Sequence, residues 1–402
     1  MGTVIPRMAT AGEKPYRVYR GGRAKGKVPL DRRDAKGRRS FRSDGGGPRK
    51  MVQRRNRRLP RRRTVLLAIA GLILLFLIWA VAGYLSVSSG VSAANKRLPQ
   101  SVRSVLVPDG GLVYSTPTNI LLLGTDHAGA NVGRAADQHS DSITILRTEP
   151  GRHRLVYLSI PRDLQVTVPG HGLEKINAAM QLGGPKLAVQ TVDALLGSSL
   201  HINHVVLVDF SQFEKLIDAV GGITVDVPEN ILSNSFDCPY KASKCASWQG
   251  WRFHKGPQHM NGHRALIFSR IRENRLDPSW TDFDRQHNQQ LVEQATLAKL
   301  ASPSLFFSLP FRGGSLLDPI STDLSTWQLI QLAWVKFRSS TGNDLHCRLG
   351  GTGYSDSLGS VIIGNEQNIT TIDEVLGKSA PQPPDRSNPY APGCVVGSAN
   401  MK

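Results

Sequence analysis

Two aspartates stand at the ends of short apolar runs. Gly124-Thr125-Asp126 closes the run 120–123, and Ser140-Asp141-Ser142 opens the run 143–146. In layered α/β proteins ligands gather at strand ends. Two carboxylates converging there would suit Mg2+, a hard cation that takes oxygen ligands and substrate phosphates. Each aspartate also reads as a turn cap through its side-chain hydrogen bonds. The arginines follow a similar placement. Ile160-Pro161-Arg162-Asp163 ends a third apolar run, and Arg285 and Gln289 lie four apart on one helical face. Arg270 and Arg272 share one side if their segment is extended. Guanidinium forks grip phosphate oxygens in pairs and cannot lose their charge. Arginines beside two acids therefore predict a site for a diphosphate and its metal, although each arginine taken singly also reads as a surface salt bridge. Other chemistries lack their signatures: there is no GxSxG elbow, no HExxH and no GxxxxGK[ST] loop. His254, His259 and His263 cluster loosely without ligand spacing and read as loop residues.

The elements that must hold these side chains are short. Runs 120–123, 143–146 and 155–160 read as buried strands, the last two joined by a turn at Glu149-Pro150-Gly151. A helix is expected over 185–196 after Gly183-Gly184, and a strand over 205–208. Phe210, Phe213, Leu216, Ile217 and Val220 recur at helical spacing before Gly221-Gly222 stops the helix. A strand over 223–227 and helices over 280–300 and 326–337 follow. Alternating strands and helices predict an α/β layered domain. Residues 229–256 form a loop-rich insert with Trp248, Trp251 and Phe253, and no internal repeat is visible.

The chain has 402 residues and a formal charge of +19, which would suit a nucleic-acid binder if the charge were spread over the fold. It is not. Residues 1–63 hold 22 of the 50 Lys and Arg against 4 of the 31 Asp and Glu, so the rest is close to neutral. This tail is poor in apolar groups and is expected to be disordered and cytoplasmic. Residues 64–87 carry no charge. As a helix at ~1.5 Å per residue they reach ~36 Å, enough to cross a ~30 Å hydrocarbon core with some tilt. The arginines just before the run predict that the N-terminus stays inside and that everything from Lys96 lies outside. A spacer is expected over 88–118, the catalytic domain over 119–378 and a flexible tail over 379–402. Cys238, Cys245, Cys347 and Cys394 all follow the anchor. An exported domain can keep disulfides, and four cysteines allow three pairings. A 238–245 bridge would close a short loop, and a 347–394 bridge would tie down the tail.

Taken in order, the motifs resemble the LytR-CpsA-Psr family. They are Asn119-Ile-Leu-Leu-Leu-Gly-Thr-Asp126, Ser140-Asp-Ser142, Ser159-Ile-Pro-Arg-Asp163, Lys175-Ile-Asn-Ala-Ala179, Val208-Asp-Phe210 and Asp218-Ala-Val-Gly-Gly-Ile-Thr-Val-Asp226. Gly262-His-Arg-Ala-Leu266, Ser269-Arg-Ile-Arg272 and Asp282-Phe-Asp-Arg285 with Gln289 complete the set. The resemblance covers roughly residues 119–375. It implies a three-layer α-β-α sandwich around a mixed sheet. It implies transfer of a glycopolymer from a polyprenyl diphosphate carrier to peptidoglycan through a phosphodiester, with Mg2+. Asp126 and Asp141 match the acidic positions linked to the metal, and Arg162, Arg270, Arg272, Arg285 and Gln289 match those that hold the diphosphate. Asp163, Lys175, Asn177 and Asp282 match supporting positions. One departure is Asn288, where the family usually has arginine. Phe268 supplies the aromatic common before the Arg-x-Arg pair, and the 238–245 insert falls where the family varies. Two other functions fit the same features: a membrane-tethered regulator whose basic tail binds nucleic acid, and a noncatalytic carrier of polyprenyl diphosphate. The tail has no folded reader and only Tyr16, Tyr19 and Phe41 as aromatics, so no nucleic acid is expected as a partner.

Overall fold

The computed structural model describes residues 62–125 and 139–397; the basic tail and Asp126 lie outside them. The charge-free run lies in a single helix, α1 (Arg62–Arg97), whose first part exposes Leu66, Leu72, Phe76 and Ile78 among others. Among the described residues it is the one helix long and apolar enough to cross a membrane. It does not end at Val87. Gly90, Val91 and Ala94 are buried, so the helix runs on through ten residues expected to be spacer. Asp109, farther along the spacer, is also tied down. His204 is buried between Asp109 Oδ2 at 2.8 Å and Asp323 Oδ2 at 2.6 Å. Burial opposes its charge, but the two carboxylates outweigh it and raise its pKa.

After α2 (Gln100–Arg103) the sheet begins. Its strands are β1 (Asn119–Thr125), β2 (Ser140–Glu149), β3 (Arg154–Ser159), β6 (His204–Asp209), β11 (Ile320–Thr322), β12 (Leu345–Arg348) and β15 (Gly393–Val396). Between them lie β4 (Leu164–Val168), β5 (Gly172–Lys175), β7 (Ile223–Val227), β8 (Ile231–Leu232), β9 (Arg252–Phe253), β10 (Gly256–Met260), β13 (Gly351–Asp356) and β14 (Gly359–Gly364). The helices are α3 (Ala178–Leu196), α4 (Phe210–Ala219), α5 (Ala242–Cys245), α6 (Gly262–Arg270), α7 (Asp282–Leu300), α8 (Pro303–Arg312), α9 (Thr326–Arg338) and α10 (Gln367–Val375).

The seven-stranded sheet has the order β11-β6-β1-β2-β3-β12-β15. It is mixed: β1 runs parallel to β6 and β3 parallel to β12, while the remaining neighbours are antiparallel. Side chains alternate along each strand. Leu121, Leu123, Ile143, Ile145, Val156 and Leu158 pack with Leu187, Val189 and Val192 of α3 and with Ile372 and Val375 of α10. Ile120, Leu146, Leu155 and Tyr157 face the other way, against Val335 of α9 and Leu297 of α7. The result is the α-β-α sandwich that the alternation of elements requires. A second apolar cluster joins β7, β10, α4, α6 and Val292 of α7. α9 also exposes Trp327, Ile330, Trp334 and Phe337 on its outer face.

The end of the chain departs from the expected loose tail. Gly393–Val396 is the edge strand β15, with Ala391 and Cys394 buried beside it. Two disulfides form, Cys238–Cys245 and Cys347–Cys394, and the second is a cross-strand link between β12 and β15. Its sequence separation of 47 residues restricts the unfolded chain strongly. Replacing both Cys347 and Cys394 with serine is expected to lower the unfolding free energy by about 4 kcal/mol, a loss readable in urea titrations.

Candidate active site

Strands β1, β3 and β6 end at one edge of the sheet, where β2 begins. Thr125 pairs there with Ser140 on one side and with Asp209 on the other. The chain after Thr125, including Asp126, is outside the described residues. Asp141 starts β2 at this edge, and Arg162 follows β3. Arg162 Nη1 donates to Asp141 Oδ1 at 2.6 Å, and its Nε lies 3.4 Å from Asp163 Oδ2. Lys175 Nζ sits 3.3 Å from the other oxygen of Asp163. Asn177 is buried, and its backbone N–H donates to Arg162 O at 3.2 Å. Burial alone would lower the Arg162 pKa, but Asp141, Asp163 and Asp282 overcome it and raise it. Arg162, Asp163, Lys175 and Asn177 line an open pocket of about 320 Å³ together with His139 and Glu174.

Helix α7 supplies the other side. Its start is set by a capping box: Thr281 caps the first turn and its backbone N–H donates to Asp284 Oδ2 at 2.7 Å. That start puts Asp282, Arg285, Gln289 and Glu293 in one row, at spacings of three, four and four. Arg285 Nη2 donates to Asp282 Oδ2 at 2.8 Å, yet its buried Nε meets no acceptor. The guanidinium is 3 % exposed. Burial lowers its pKa; Asp282 and Asp141 oppose this, while Arg162 and Arg272 add to it. Arg162 and Arg272 each lie near enough to disfavour the charge of Arg285, while Asp141 pairs with Arg162 and Asp282 with Arg285. The adjoining face of α7 is also anchored on the sheet. Buried Gln290 donates to Ser159 Oγ at 2.7 Å and to Cys347 O at 3.1 Å. Its Oε1 lies 3.1 Å from His346 Nδ1. Burial holds His346 down to about 3, so it is neutral and stacks on Tyr157 at 4.9 Å.

Not every predicted residue lies as the spacing suggested. Arg270 and Arg272 do not share one side of an extended segment. Asn261 caps α6, and the helix runs through Arg270 before the chain turns at Ile271. Arg270 Nη1 donates to Asp237, on the disulfide-closed insert, and its guanidinium lies 5.9 Å from the Phe236 ring. Arg272 is exposed, and its charge disfavours that of Arg285. Gln289 Nε2 reaches Ser269 O at 3.4 Å, and fully buried Asn288 donates to Phe268 O at 3.2 Å. Both residues therefore fasten the end of α6. A second pocket, of about 90 Å³, lies between α7 and β12 and is lined by Phe283, Gln286 and Arg348 among others. Neither pocket is a wholly apolar groove.

No motif or strand-end position marks Glu293 in the sequence, although it continues the i,i+4 row from Arg285 and Gln289. Its Oε1 accepts from Thr144 Oγ1 at 3.2 Å and from Ser142 Oγ at 3.5 Å, while Oε2 is shut off from water without a donor. Burial pushes its pKa up to about 7 against those two hydroxyls. A carboxyl whose folded pKa exceeds its unfolded one stabilises the fold fully in acid, and that stability is lost as pH rises through the folded value. Glu293→Gln removes the titration. It is expected to leave stability near wild type at pH 4 and to raise it by roughly 3 kcal/mol at pH 8, as paired denaturant titrations would read.

A model of the LytR_cpsA_psr family matches residues 84–346, from within α1 to β12. The chain belongs to the LytR_cpsA_psr family. Among relatives, a protein of Bacillus mycoides named polyisoprenyl-teichoic acid–peptidoglycan teichoic acid transferase TagU is 33% identical over 270 residues, 66% of this chain and 79% of that one. A protein of the same name from Enterococcus faecalis is 29% identical over 310 residues, 76% of this chain and 93% of that one. Bacillus subtilis TagV has a crystal structure that aligns with a TM-score of 0.52 and 25% identity, over 66% of this chain and 97% of that one. TagT bound to LIIa-WTA shares the fold at a TM-score of 0.51 and 24% identity, over 70% of this chain and 96% of that one. For a LytR_cpsA_psr protein the mixed sheet and its two helical layers are the expected frame. The strand β15 and both cysteines of its disulfide, Cys347 and Cys394, lie beyond the matched region.

Proposed function

We propose that this protein transfers a glycopolymer from a polyprenyl diphosphate carrier to peptidoglycan, through a phosphodiester, on the outer side of a membrane that α1 crosses. The observation that carries the reading is the Arg285 guanidinium, buried beside Arg162 and Arg272 with its Nε unpartnered. A buried cation with an open donor calls for an anion, and three guanidiniums suit the two phosphates of a diphosphate. The relatives named as transferases of polyisoprenyl-linked teichoic acid to peptidoglycan support the same donor and acceptor classes.

In this reading an acceptor sugar hydroxyl of peptidoglycan attacks the phosphorus that carries the glycan. A new P–O bond forms, the phosphoanhydride bond breaks, and polyprenyl phosphate leaves. No nucleotide is needed outside the cell, because the anhydride brings the energy. Arg162 and Arg285 offset charge on the phosphoryl oxygens, and Arg272 closes the exposed side. Lys175 and Asp163 hold Arg162 in place, and Asn177 braces the backbone behind it. Among the described residues no three His, Cys, Asp or Glu stand together as a metal cage. A single carboxylate among cations still fits Mg2+, which takes most of its ligands from water and substrate phosphates. Asp141 would hold it, with Asp126 as a second carboxylate or as acceptor of the hydroxyl proton. When bound, the ion would neutralise phosphate charge. Arg270 remains a candidate diphosphate ligand once it releases Asp237. The arginines before residue 64 favour a cytoplasmic N-terminus, and two disulfides suit an exported domain.

The test is direct. Full-length protein, a polyprenyl-diphosphate-linked glycopolymer and peptidoglycan should together release polyprenyl phosphate and leave polymer on the peptidoglycan through an acid-labile bond. Release without attachment would make the protein a hydrolase. Tight donor binding with neither product would make it a carrier.

A further inference from the structure

Helix α8 stands apart from the other helices of the globular domain. Of its ten residues five are Leu or Phe and none is acidic. Phe307 is 65% exposed and Phe311 86% exposed, the latter the largest apolar exposure among the described residues. Such side chains facing water in a monomeric domain mark a contact surface.

What covers them follows from what α8 packs against. It lies along the second half of α1, in order. Trp79 meets Phe306 at 4.6 Å and Phe307 at 5.9 Å between ring centroids, and its Nε1 donates to Phe307 O at 3.2 Å. A Cβ on Gly83 would touch Leu309 and Pro310. Gly314 N donates to Ser86 Oγ at 3.1 Å, and a Cβ on Gly90 would collide with Gly314 O at 2.6 Å. Small residues thus let the two backbones approach closely. The depth of this contact can be counted along α1. From Thr64, ~20 residues at ~1.5 Å each cover a ~30 Å hydrocarbon core, which ends near Gly83. Trp79 and Tyr84 then sit where aromatic belts form. A helix fixed beside Trp79 and Gly83 must share that level.

We propose that α8 is an interfacial membrane helix, with Phe307 and Phe311 seated in the leaflet at the far end of α1. The inference rests on the reading of α1 as membrane-spanning and adds to it. The globular domain is not suspended on a tether but docked on the bilayer through two elements, so its site keeps one height and orientation above a lipid-borne donor. Arg312, at the end of α8, adds a cation suited to anionic headgroups.

All four native cysteines are in disulfides, so a fifth can carry a nitroxide alone. Full-length Phe311→Cys, Ile69→Cys and Ser360→Cys would be labelled and reconstituted in vesicles of phosphatidylethanolamine and phosphatidylglycerol. Collision with oxygen would then be compared with collision with a water-soluble nickel chelate. The expected result is that Phe311→Cys shares the oxygen excess of Ile69→Cys, while Ser360→Cys favours the chelate. Ile69→Cys in lipid with Phe311→Cys in water would overturn the docking of α8 and leave the spanning helix intact. Shielding of Phe311→Cys from both reagents would mean that another protein surface covers it, and would also overturn the proposal. Ile69→Cys in water would remove the spanning helix and this inference with it.

Discussion

Arg285→Ala is expected to lower transfer from a polyprenyl diphosphate donor by about 10³-fold or more while the domain stays folded. The reasoning starts from the poor environment of this guanidinium in the free protein. It is buried, its pKa is lowered by that burial and by two neighbouring arginines, and its Nε has no acceptor. Its ion pair is with Asp282, whose own side chain is 26% exposed and can return to water. Removing a charge so placed relieves as much as it breaks, because an incompletely paired buried ion contributes little to stability. A buried guanidinium with an open donor and little structural return is, on the proposed function, one whose partner comes with the substrate. Arg285→Ala should therefore melt at or above the wild-type temperature and still lose transfer. Arg285→Lys should also stay poor, because an ammonium cannot present a planar fork to two oxygens. The paired readouts are polyprenyl phosphate release and the melting curve followed by circular dichroism. A variant that melts early and retains transfer per folded molecule would assign Arg285 to structure rather than to the diphosphate.

Much of this site is legible in the sequence because charged residues at the ends of apolar runs are easy to place. Asp141 and Arg162 bracket two strands whose pairing follows from a short turn. Arg285 and Gln289 share a face as soon as a helix begins near Thr281. What the sequence hides is the partner of each charge. Arg270 reads as half of an extended pair only if α6 ends early; the Asn261 cap and the apolar stretch 265–268 carry the helix one turn further and turn Arg270 toward Asp237. Glu293 was in reach, since it extends the row by four, but a lone acid in a helix looks solvated until a strand is known to cross it. The same holds for β15, where four residues after Pro392 form a strand whose Cys394 is tied to β12. Small residues in the second half of α1 look like linker composition. They are small because α8 presses on them.

Asp141→Asn separates two roles that one carboxylate could hold, and its expected effect is nearly as large. Asp141 Oδ1 accepts from Arg162 Nη1 at 2.6 Å, so the residue positions Arg162 whether or not a metal binds. As an amide it can still accept that hydrogen bond, but it offers no negative charge. Arg162 stays protonated, because Asp163 and Asp282 still favour its charge and guanidinium in water is far from its pKa. A loss of transfer cannot then be blamed on a neutral arginine. If Asp141 served only to orient Arg162, the asparagine variant should keep much of its rate and show the wild-type dependence on Mg2+. The donor set predicts otherwise. Transfer is expected to fall by about 10²-fold, and the Mg2+ concentration giving half the maximal rate to rise by about tenfold or more. Partial recovery at high Mg2+ is the distinguishing result, since no concentration of the ion would repair a misplaced guanidinium. A Mg2+ titration of both proteins with the same lipid-diphosphate donor decides between these outcomes. An unchanged half-saturation point would leave Asp141 as the brace of Arg162 and pass the metal to other ligands.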